Sequence, residues 1–237
     1  MKKIGIIIIT LFIYVFILRP YTIHANLTFE QAIRDDNIAK TRALLILYPW
    51  IVDSMTGISR QKSLSFSESP EMTKLLLDSG ADPFWEISIG HSVVNDFTFK
   101  GDLESIKLVY RKAHIDRPNS QGETLLHIAC FSAKYEIVKY AVEKGADVNL
   151  PAGDSGKTPL GFVASHMDDN TDKIIFYLLE HGAELKESHL KDIASEVTDL
   201  SKQSNISTCN MHRVKILRDR LQKLQLFLKK TDQKRNQ

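Results

Sequence analysis

Two short strings in the sequence contain residue types that enzymes use. Residues 153–156 (Gly-Asp-Ser-Gly) set a serine among glycines, as in some acyl-transfer nucleophiles, and residues 156–158 (Gly-Lys-Thr) have the end of a phosphate-binding loop. A nucleophilic serine needs a positioned histidine and carboxylate, and no β-barrel pattern surrounds this segment to supply them. The phosphate loop needs a glycine where the chain has Pro151, so its backbone cradle cannot form. Neither string predicts an active site.

The histidines and cysteines do not indicate a metal site or a catalytic centre. The eight histidines lack the spacings of metal ligands, and two cysteines cannot supply a four-cysteine zinc site. Cys130 lies at a small position of an apolar segment, whereas Cys209 lies in a polar one. Oxidising conditions allow a disulfide between them, but the sequence favours two free thiols. We therefore expect a protein that is not an enzyme and holds no cofactor or metal.

The amino-terminal segment has the pattern of an export signal. Two lysines precede an apolar run over residues 4–18, which as a helix reaches about 22 Å, short of the roughly 30 Å hydrocarbon core. This length is typical of a signal peptide over residues 1–25, cleaved after Ala25, although Ile23 is large for its place before the cut. The alternative is an uncleaved anchor, through which alone the chain contacts the membrane. Both alternatives export residues 26–237, most simply to the periplasm.

Charge is distributed unevenly along the chain. Residues 26–211 carry 19 basic residues against 27 acidic ones, a net charge of about −8, whereas residues 212–237 carry nine basic against two acidic. An acidic body with a basic tail does not fit a nucleic-acid-binding protein. Apolar residues at 43% and charged residues at 25% indicate a folded chain.

The elements around these strings repeat along the chain. Gly80, Gly145 and Gly182 each open a Gly-Ala-Asp or Gly-Ala-Glu triplet that closes an apolar run, and weaker copies end near residues 48 and 113. Five units therefore end near residues 48, 80, 113, 145 and 182. Each triplet glycine is predicted to take a positive φ and to end the second helix of its unit. Because no unit buries its apolar face alone, neighbouring units must stack.

The clearest unit, residues 122–149, resembles the ankyrin repeat through Gly-Glu-Thr-Leu-Leu-His-Ile-Ala-Cys and the closing Gly-Ala-Asp-Val-Asn. Residues 156–160 (Gly-Lys-Thr-Pro-Leu) repeat its opening. The resemblance covers residues 27–185 and is weaker in the first two units, and Gly161 replaces the histidine of the fifth. It implies an all-α ankyrin solenoid of about five helix pairs with short hairpin loops over residues 26–185.

The same resemblance assigns a structural role to the residues at the start of each first helix. Thr124 and Thr158 are predicted to cap their helices by accepting free backbone N–H groups. His127 stands at the conventional histidine of the repeat, which implies a structural hydrogen bond rather than a metal ligand.

After residue 185 the chain changes pattern, and residues 186–230 predict two helices. The second has apolar residues at alternating spacings of three and four, namely Val214, Leu217, Leu221, Leu224 and Leu228. This could be a coiled-coil seam, but two heptads are fewer than the three or four that a coiled coil needs. We therefore expect a C-terminal helical cap on the last repeat, followed by a disordered basic tail over residues 231–237.

In ankyrin proteins, the hairpin tips and the exposed side of the first helices form one concave surface that binds proteins. Phenylalanine recurs in three successive units just before the mid-repeat turn, which predicts a stripe of aromatic hot spots for a protein partner. The alternative is that these rings pack on each other or under the loops. The predicted partner-binding residues, with the hairpin tip and polar rim, are Phe66, Phe84, Trp85, His91, Phe99, Lys100, Gln121, Glu123, Phe131, Ser132, Ser165 and His166.

The function implied is that of an exported, monomeric protein-binding module without enzymatic activity. The chain resembles exported bacterial ankyrin repeat proteins, which are often associated with antibacterial effectors. An alternative function is therefore an immunity-type inhibitor of a toxin that acts in the periplasm.

Overall fold

A computed structural model describes residues 19–53, 62–111, 113–164, 170–202 and 208–235. Its helices are α1 (Arg19–Arg34), α2 (Ile38–Leu47), α3 (Pro70–Asp78), α4 (Val93–Lys100), α5 (Leu103–Val109), α6 (Leu125–Phe131), α7 (Tyr135–Glu143), α8 (Pro159–Val163), α9 (Thr171–Glu180), α10 (Glu187–Ser201) and α11 (Thr208–Arg235). Short 3-10 helices cover Pro49–Asp53, Ser63–Phe66 and Gly153–Ser155. Two antiparallel strands, β1 (Glu86–Ser88) and β2 (His91–Ser92), form a small hairpin. The predicted all-α repeat fold is confirmed.

The chain divides into two compact units, of which the first comprises Met1–Phe97 and Glu104–Lys112. In this unit α1 packs against α2, the 3-10 helix Ser63–Phe66 packs against α1, and α3 packs against α2. First helices therefore lie beside first helices and second helices beside second ones. Its most deeply buried side chains are Phe29, Ile33, Ile51, Leu64, Met72, Leu76, Phe97 and Ile106.

The second unit comprises Thr98–Leu103 and Ala113–Gln237. Here α6 packs against α7 and α8, while α9 packs against α7 and α8, so two helix pairs stack in the same order. Helices α10 and α11 pack on each other to form a hairpin. The core of this unit includes Leu125, Leu126, Ile137, Leu160, Ile174, Leu178 and Leu217.

Three helices begin with the same backbone-to-side-chain hydrogen bond. Thr124 directly precedes α6, and its N–H donates to Nδ1 of His127, three residues later in the sequence, at 3.2 Å. Before α4, Ser92 N–H donates to Oδ1 of Asn95 at 2.9 Å. Before α10, Lys186 N–H donates to Nδ1 of His189 at 3.2 Å. Helix α10 therefore starts as a repeat helix does, although it has no threonine to signal this in the sequence.

The ring of His189 also explains how the fifth repeat accommodates Gly161. A Cβ added at Gly161 would lie 3.5 Å from Nε2 of His189, so the two residues are close neighbours. Nε2 also lies 3.5 Å from Oγ1 of Thr158. A histidine from the following helix thus lies beside the position where the repeat lacks its own.

The ends of the second helices are as predicted. Gly80, Gly145 and Gly182 have φ values of 99°, 85° and 91°. This left-handed conformation is unfavourable for residues with a Cβ. At Gly145, the following N–H of Ala146 donates to the carbonyl of Ala141 at 3.0 Å, which closes the helix.

One buried ion pair joins α11 to the last repeat helix. Arg220 is 2% exposed, its Nε donates to Oδ1 of Asp172 at 2.6 Å, and its Nη1 donates to the carbonyl of Ala164 at 3.0 Å. The basic residues of α11 were expected to form mostly a solvated face, and Arg220 is an exception. Val214, Leu217 and Leu224 are buried, so the apolar spacing of this helix serves packing within the chain.

The predicted disordered tail needs correction, because α11 continues to Arg235. Residues 229–235 contain neither glycine nor proline, and lysine, glutamine and arginine favour helix. Within the described residues, every helix is too short or too polar to cross a membrane.

Candidate functional site

Two of the predicted phenylalanines form an exposed aromatic pair, Phe99 and Phe131. Phe99 lies near the end of α4 and is 39% exposed, and Phe131 is the last residue of α6 and is 51% exposed. Their ring centroids are 6.5 Å apart with the planes tilted by 58°, within the range of interacting aromatic rings. Both belong to the second unit. The pair presents an exposed apolar surface made of two neighbouring rings.

The third phenylalanine of the predicted stripe, Phe66, does not belong to an exposed surface. It is 4% exposed, and the guanidinium carbon of Arg34 lies 4.1 Å from its ring centroid. Phe66 stands in the short 3-10 helix Ser63–Phe66, which packs against α1. Of the two alternatives for this position, the packed one therefore holds, and an arginine from the preceding repeat lies over the ring.

The residues that follow the aromatic pair differ in what they offer a partner. Lys100 is exposed and adds a positive charge next to Phe99. The hydroxyl of Ser132 donates to the carbonyl of Ile128 at 2.8 Å, so it completes the end of α6. The corresponding residues of the fifth repeat, Ser165 and His166, lie outside the described residues.

The predicted hairpin tip carries Phe84 and Trp85, both half-buried in the first unit. Phe84 makes an edge contact with Tyr110, with ring centroids 5.7 Å apart. The ammonium of Lys62 lies 5.0 Å from the ring centroid of Trp85. Each ring thus contacts a neighbour within the chain and keeps part of its surface exposed.

The polar residue predicted beside this tip, His91, is also engaged within the chain. Its Nε2 lies 2.9 Å from Oδ1 of Asp96, and both side chains are about one-third exposed. The sequence did not single out Ile89, which lies at the turn between β1 and β2 and is among the most exposed apolar residues described. Its position directly before Gly90, a typical turn residue, could have indicated this exposure from the sequence.

Gln121 and Glu123 line an open groove of about 740 Å³ in the second unit. Lys157 and Phe162 line the same groove, so it offers a carboxylate, an ammonium and an aromatic ring. Asn119 orders the loop, because its Oδ1 accepts the N–H groups of Gln121 at 3.0 Å and Glu123 at 2.8 Å. Gln121 and Glu123, predicted to form a polar rim, therefore lie together in one polar groove.

Two glycines bring the loops that form this groove into direct contact. A Cβ on Gly122 would overlap the backbone nitrogen of Gly153, and a Cβ on Gly153 would overlap the carbonyl of Gln121. The composition of residues 153–156 does not indicate this contact between the loops. Gly153 instead allows two neighbouring repeat loops to approach closely.

His127, Cys130 and Ser155, whose side chains could serve in catalysis, are buried or bonded to the backbone of the repeats. Nδ1 of His127 accepts the N–H of Thr124, and its Nε2 lies 2.9 Å from the carbonyl of Leu150. Burial lowers the pKa of this imidazole, and burial raises the pKa of the Cys130 thiol above its usual range. The Ser155 hydroxyl donates to the carbonyl of Ala152 at 2.9 Å. The side chain of Cys209 lies outside the described part.

The repeats match a known protein family. Residues 64–189, just over half of the chain, match the family described as ankyrin repeats, in three copies. The chain is 33% identical over 103 residues to the RelA-associated inhibitor of Mus musculus, which is 43% of this chain and 12% of that protein.

Two further relatives match shorter stretches. The chain is 32% identical over 89 residues to the palmitoyltransferase AKR1 of Lachancea kluyveri, which is 36% of this chain and 12% of that protein. It is 37% identical over 84 residues to the regulatory protein NPR5 of Arabidopsis thaliana, 35% of this chain and 16% of that protein. The chain thus spans less than one-fifth of the length of these curated relatives.

Proposed function

Because the chain belongs to the ankyrin repeat family, we propose that it is a non-enzymatic module that binds a protein partner through the aromatic pair Phe99 and Phe131. Ankyrin repeats generally mediate protein–protein interaction, and two of the relatives are an inhibitor and a regulatory protein by name. The match to a palmitoyltransferase covers 12% of that enzyme. It is therefore a likeness between parts of the two chains.

The exposure of the aromatic pair is the observation that supports this proposal. Phe99 and Phe131 lie side by side at successive repeats of one unit, where their rings remain in contact with water. Contiguous exposed apolar surface often marks an interaction site, and aromatic residues are frequent hot spots of protein interfaces. Because the two rings restrain each other, a partner binds them with a small loss of side-chain entropy.

The polar groove contributes a second kind of contact in the same unit. Glu123 and Lys157 carry opposite charges, so the groove favours a partner segment that presents charges of both signs. Lys100 extends the positive charge beside the aromatic pair. Charged residues around an apolar centre contribute more to specificity and association rate than to affinity.

The proposal includes export, with the repeats outside the cytoplasm. The support comes from the sequence of residues 1–25, which combines two lysines with an apolar run and contains no acidic residue. An inhibitor of a periplasmic toxin is one partner relationship that this location permits. In that case the partner captured by the aromatic pair is the toxin.

The test compares the affinity of the wild type and of two variants for the captured partner. The wild-type chain, immobilised through its C-terminus, is incubated with envelope extract from the source cells, and the captured protein is identified and purified. Its affinity is then measured for the wild type, Phe99→Ala and Phe131→Ala. We expect each variant to bind about 30-fold more weakly, since loss of a central aromatic hot spot costs about 2 kcal/mol.

Leu226→Ala is the matched control, because Leu226 is an exposed apolar residue on α11. It is expected to leave the affinity unchanged. Equal affinities for the wild type and both phenylalanine variants would show that the partner binds elsewhere.

A further inference from the structure

The first repeat exposes a second apolar surface, which lies at the end of its helix pair. Ile46 and Leu47 end α2 and are 74% and 67% exposed, and Trp50, in the 3-10 helix that follows, is 52% exposed. We call these three residues the end patch. The residues immediately before and after this stretch, Leu45 and Ile51, are buried in the core. The side chains of the end patch therefore contribute little to the core of the repeat.

The end patch lies at the end of the hairpin where α1 begins. A three-residue turn reverses the chain between α1 and α2, with Asn37 N–H bound to the carbonyl of Ala32 at 2.9 Å. Since both helices rise about 1.5 Å per residue, Leu47 at the end of α2 lies roughly level with Ala25 in α1. Arg19, the first residue of α1, is six residues before Ala25, or about 9 Å along the axis.

The apolar run of the sequence ends immediately before α1, at Leu18. As a helix this run is about 8 Å shorter than the hydrocarbon core of a bilayer. A spanning segment that is too short draws its flanking residues towards the bilayer or thins it locally. If the run spans a membrane, the short connection through α1 holds the end patch within reach of the lipid headgroups.

The composition of the end patch and its surroundings matches a lipid interface. Tryptophan is enriched at membrane–water interfaces, and Trp50 makes an edge contact with Tyr48 at 5.2 Å between centroids. Residues 38–52 contain Lys40 and Arg42, both exposed, and no acidic residue. These cations suit anionic lipid headgroups, while the apolar side chains suit the layer beneath them.

Helix α1 continues across the predicted cleavage site after Ala25. Helix α1 runs without interruption from Arg19 through Ala25 to Arg34, and Ala25 is buried in the repeat. Cleavage after Ala25 would remove the first seven residues of this helix and one residue of its core. We propose that residues 4–18 remain as a membrane anchor and that the end patch lies against the anionic lipid surface from which α1 emerges.

The depth of Trp50 in the bilayer tests this proposal. The full chain contains two tryptophans, so Trp85→Phe leaves Trp50 as the sole reporter. This variant is reconstituted into vesicles of phosphatidylcholine and phosphatidylglycerol with brominated acyl chains, and its fluorescence is compared with that in unbrominated vesicles. We expect bromine to quench at least half of the Trp50 emission. Trp50→Phe, which reports on Trp85, is expected to show no quenching.

Substitutions in the end patch show whether its apolar side chains bind the lipid or Trp50 is merely close to the bilayer. Ile46→Ser together with Leu47→Ser, in the Trp85→Phe background, is expected to reduce the quenching by more than half. Both residues are exposed, so the variant should keep the melting temperature of its parent. The chain extracted from cell membranes is also expected to retain its full mass of 26.9 kDa.

Other occupants of the end patch give different results, and each of these overturns the proposal. If residues 4–18 fold back on the patch, Trp50 emits at short wavelength without quenching by brominated lipid. If a second copy covers it, the emission depends on protein concentration and is again unquenched. A chain that is recovered from cells with Asn26 as its first residue has lost the anchor.

Discussion

His127 shows how a residue that could have been catalytic is used in the repeat. Because Nδ1 accepts the backbone N–H of Thr124, the proton of the neutral ring resides on Nε2, which donates to the carbonyl of Leu150. The ring also contacts the edge of Phe162 at 5.3 Å between centroids. His127 thus joins the start of α6 to the next loop, and it does so only when neutral.

The first prediction is a loss of stability in mild acid. Burial lowers the pKa of His127, and burial followed by the charge of Lys186 lowers that of His189. The unfolded chain therefore takes up protons at these residues as the pH falls through about 6.5, while the folded chain does not. The free energy of unfolding should decrease below that pH, by at most about 1.4 kcal/mol per pH unit per histidine. Urea unfolding between pH 5 and 8 measures this.

His127→Asn is the control for this effect, since Asn95 makes the same hydrogen bond at the start of α4. The variant should lose about 2 kcal/mol at pH 7.5, because the shorter side chain leaves the carbonyl of Leu150 without its donor. Its stability should also depend less on pH than that of the wild type. An unchanged pH dependence would contradict the assignment to His127.

The second prediction concerns Gly145, which has a φ of 85°. A Cβ added there meets no heavy atom within 4 Å, so a substitution has only the backbone to strain. Gly145→Ala should cost about 1 kcal/mol, and Gly145→Val should cost more, about 2–3 kcal/mol, because β-branched residues tolerate this conformation least. Thermal melts of both variants measure the difference. Equal melting temperatures would show that the backbone adapts without strain.

The sequence predicts the conformation of a residue correctly where the identity of that residue alone decides it. The triplet glycines could be predicted because the conformation required at the helix end is rare for other residues. Phe66, Phe99 and Phe131 occupy equivalent places in the repeat, and the sequence could not distinguish the buried ring from the exposed ones. That difference depends on Arg34, which belongs to another repeat.

Helix α4 carries buried and exposed aromatic rings two residues apart, and the third prediction uses this contrast. Phe97 is almost fully buried, and Phe99 is 39% exposed. Phe97→Ala should cost about 3–5 kcal/mol through the cavity that it leaves. Phe99→Ala should cost less, about 1 kcal/mol, because part of the ring already lies in water. Thermal melts of the two variants check this, and a large loss of stability for Phe99→Ala would exclude the aromatic pair as a binding surface.

Helix α11 makes a buried polar contact, through Arg220, that its apolar spacing did not reveal. The sequence predicted a C-terminal helix pair from the spacing of leucines, and Leu217 and Leu224 are indeed buried. The spacing gave no reason to choose Arg220 among nine basic residues of the segment. Its role depends on Asp172, which lies 48 residues away in sequence.

The fourth prediction concerns this ion pair. Asp172→Ala leaves the charge of Arg220 buried without its carboxylate, which should cost about 2–3 kcal/mol, since Asp172 is itself one-third exposed. Lys223 lies 3.3 Å from the same carboxylate but is exposed, so Lys223→Gln should change stability by less than about 0.5 kcal/mol. Chemical denaturation of both variants tests the contrast. A similar loss in the two would assign the effect to surface charge.

At the scale of the whole molecule, charge separates the chain into three parts. Residues 1–25 carry three basic residues and no acidic one, residues 26–211 carry about −8, and residues 212–237 carry about +7. Lys2 and Lys3 supply positive charge of the kind that is retained on the cytoplasmic side, whereas Arg19 follows the apolar run. The acidic middle contains all the repeats and can cross a membrane behind such a segment.

The last prediction follows from that order of charges. A reporter enzyme that is active only outside the cytoplasm, fused after Gln237, should be active in cells that make the full chain. The physical reason is that the lysines at positions 2 and 3 hold the start of the chain inside while the apolar run enters the membrane. Leu11→Arg interrupts the run at its middle, where a charge is costly in hydrocarbon, and should abolish the reporter activity while leaving the repeats folded. Reporter activity that is absent with the wild type, or equal with Leu11→Arg, would mean that this segment does not export the protein.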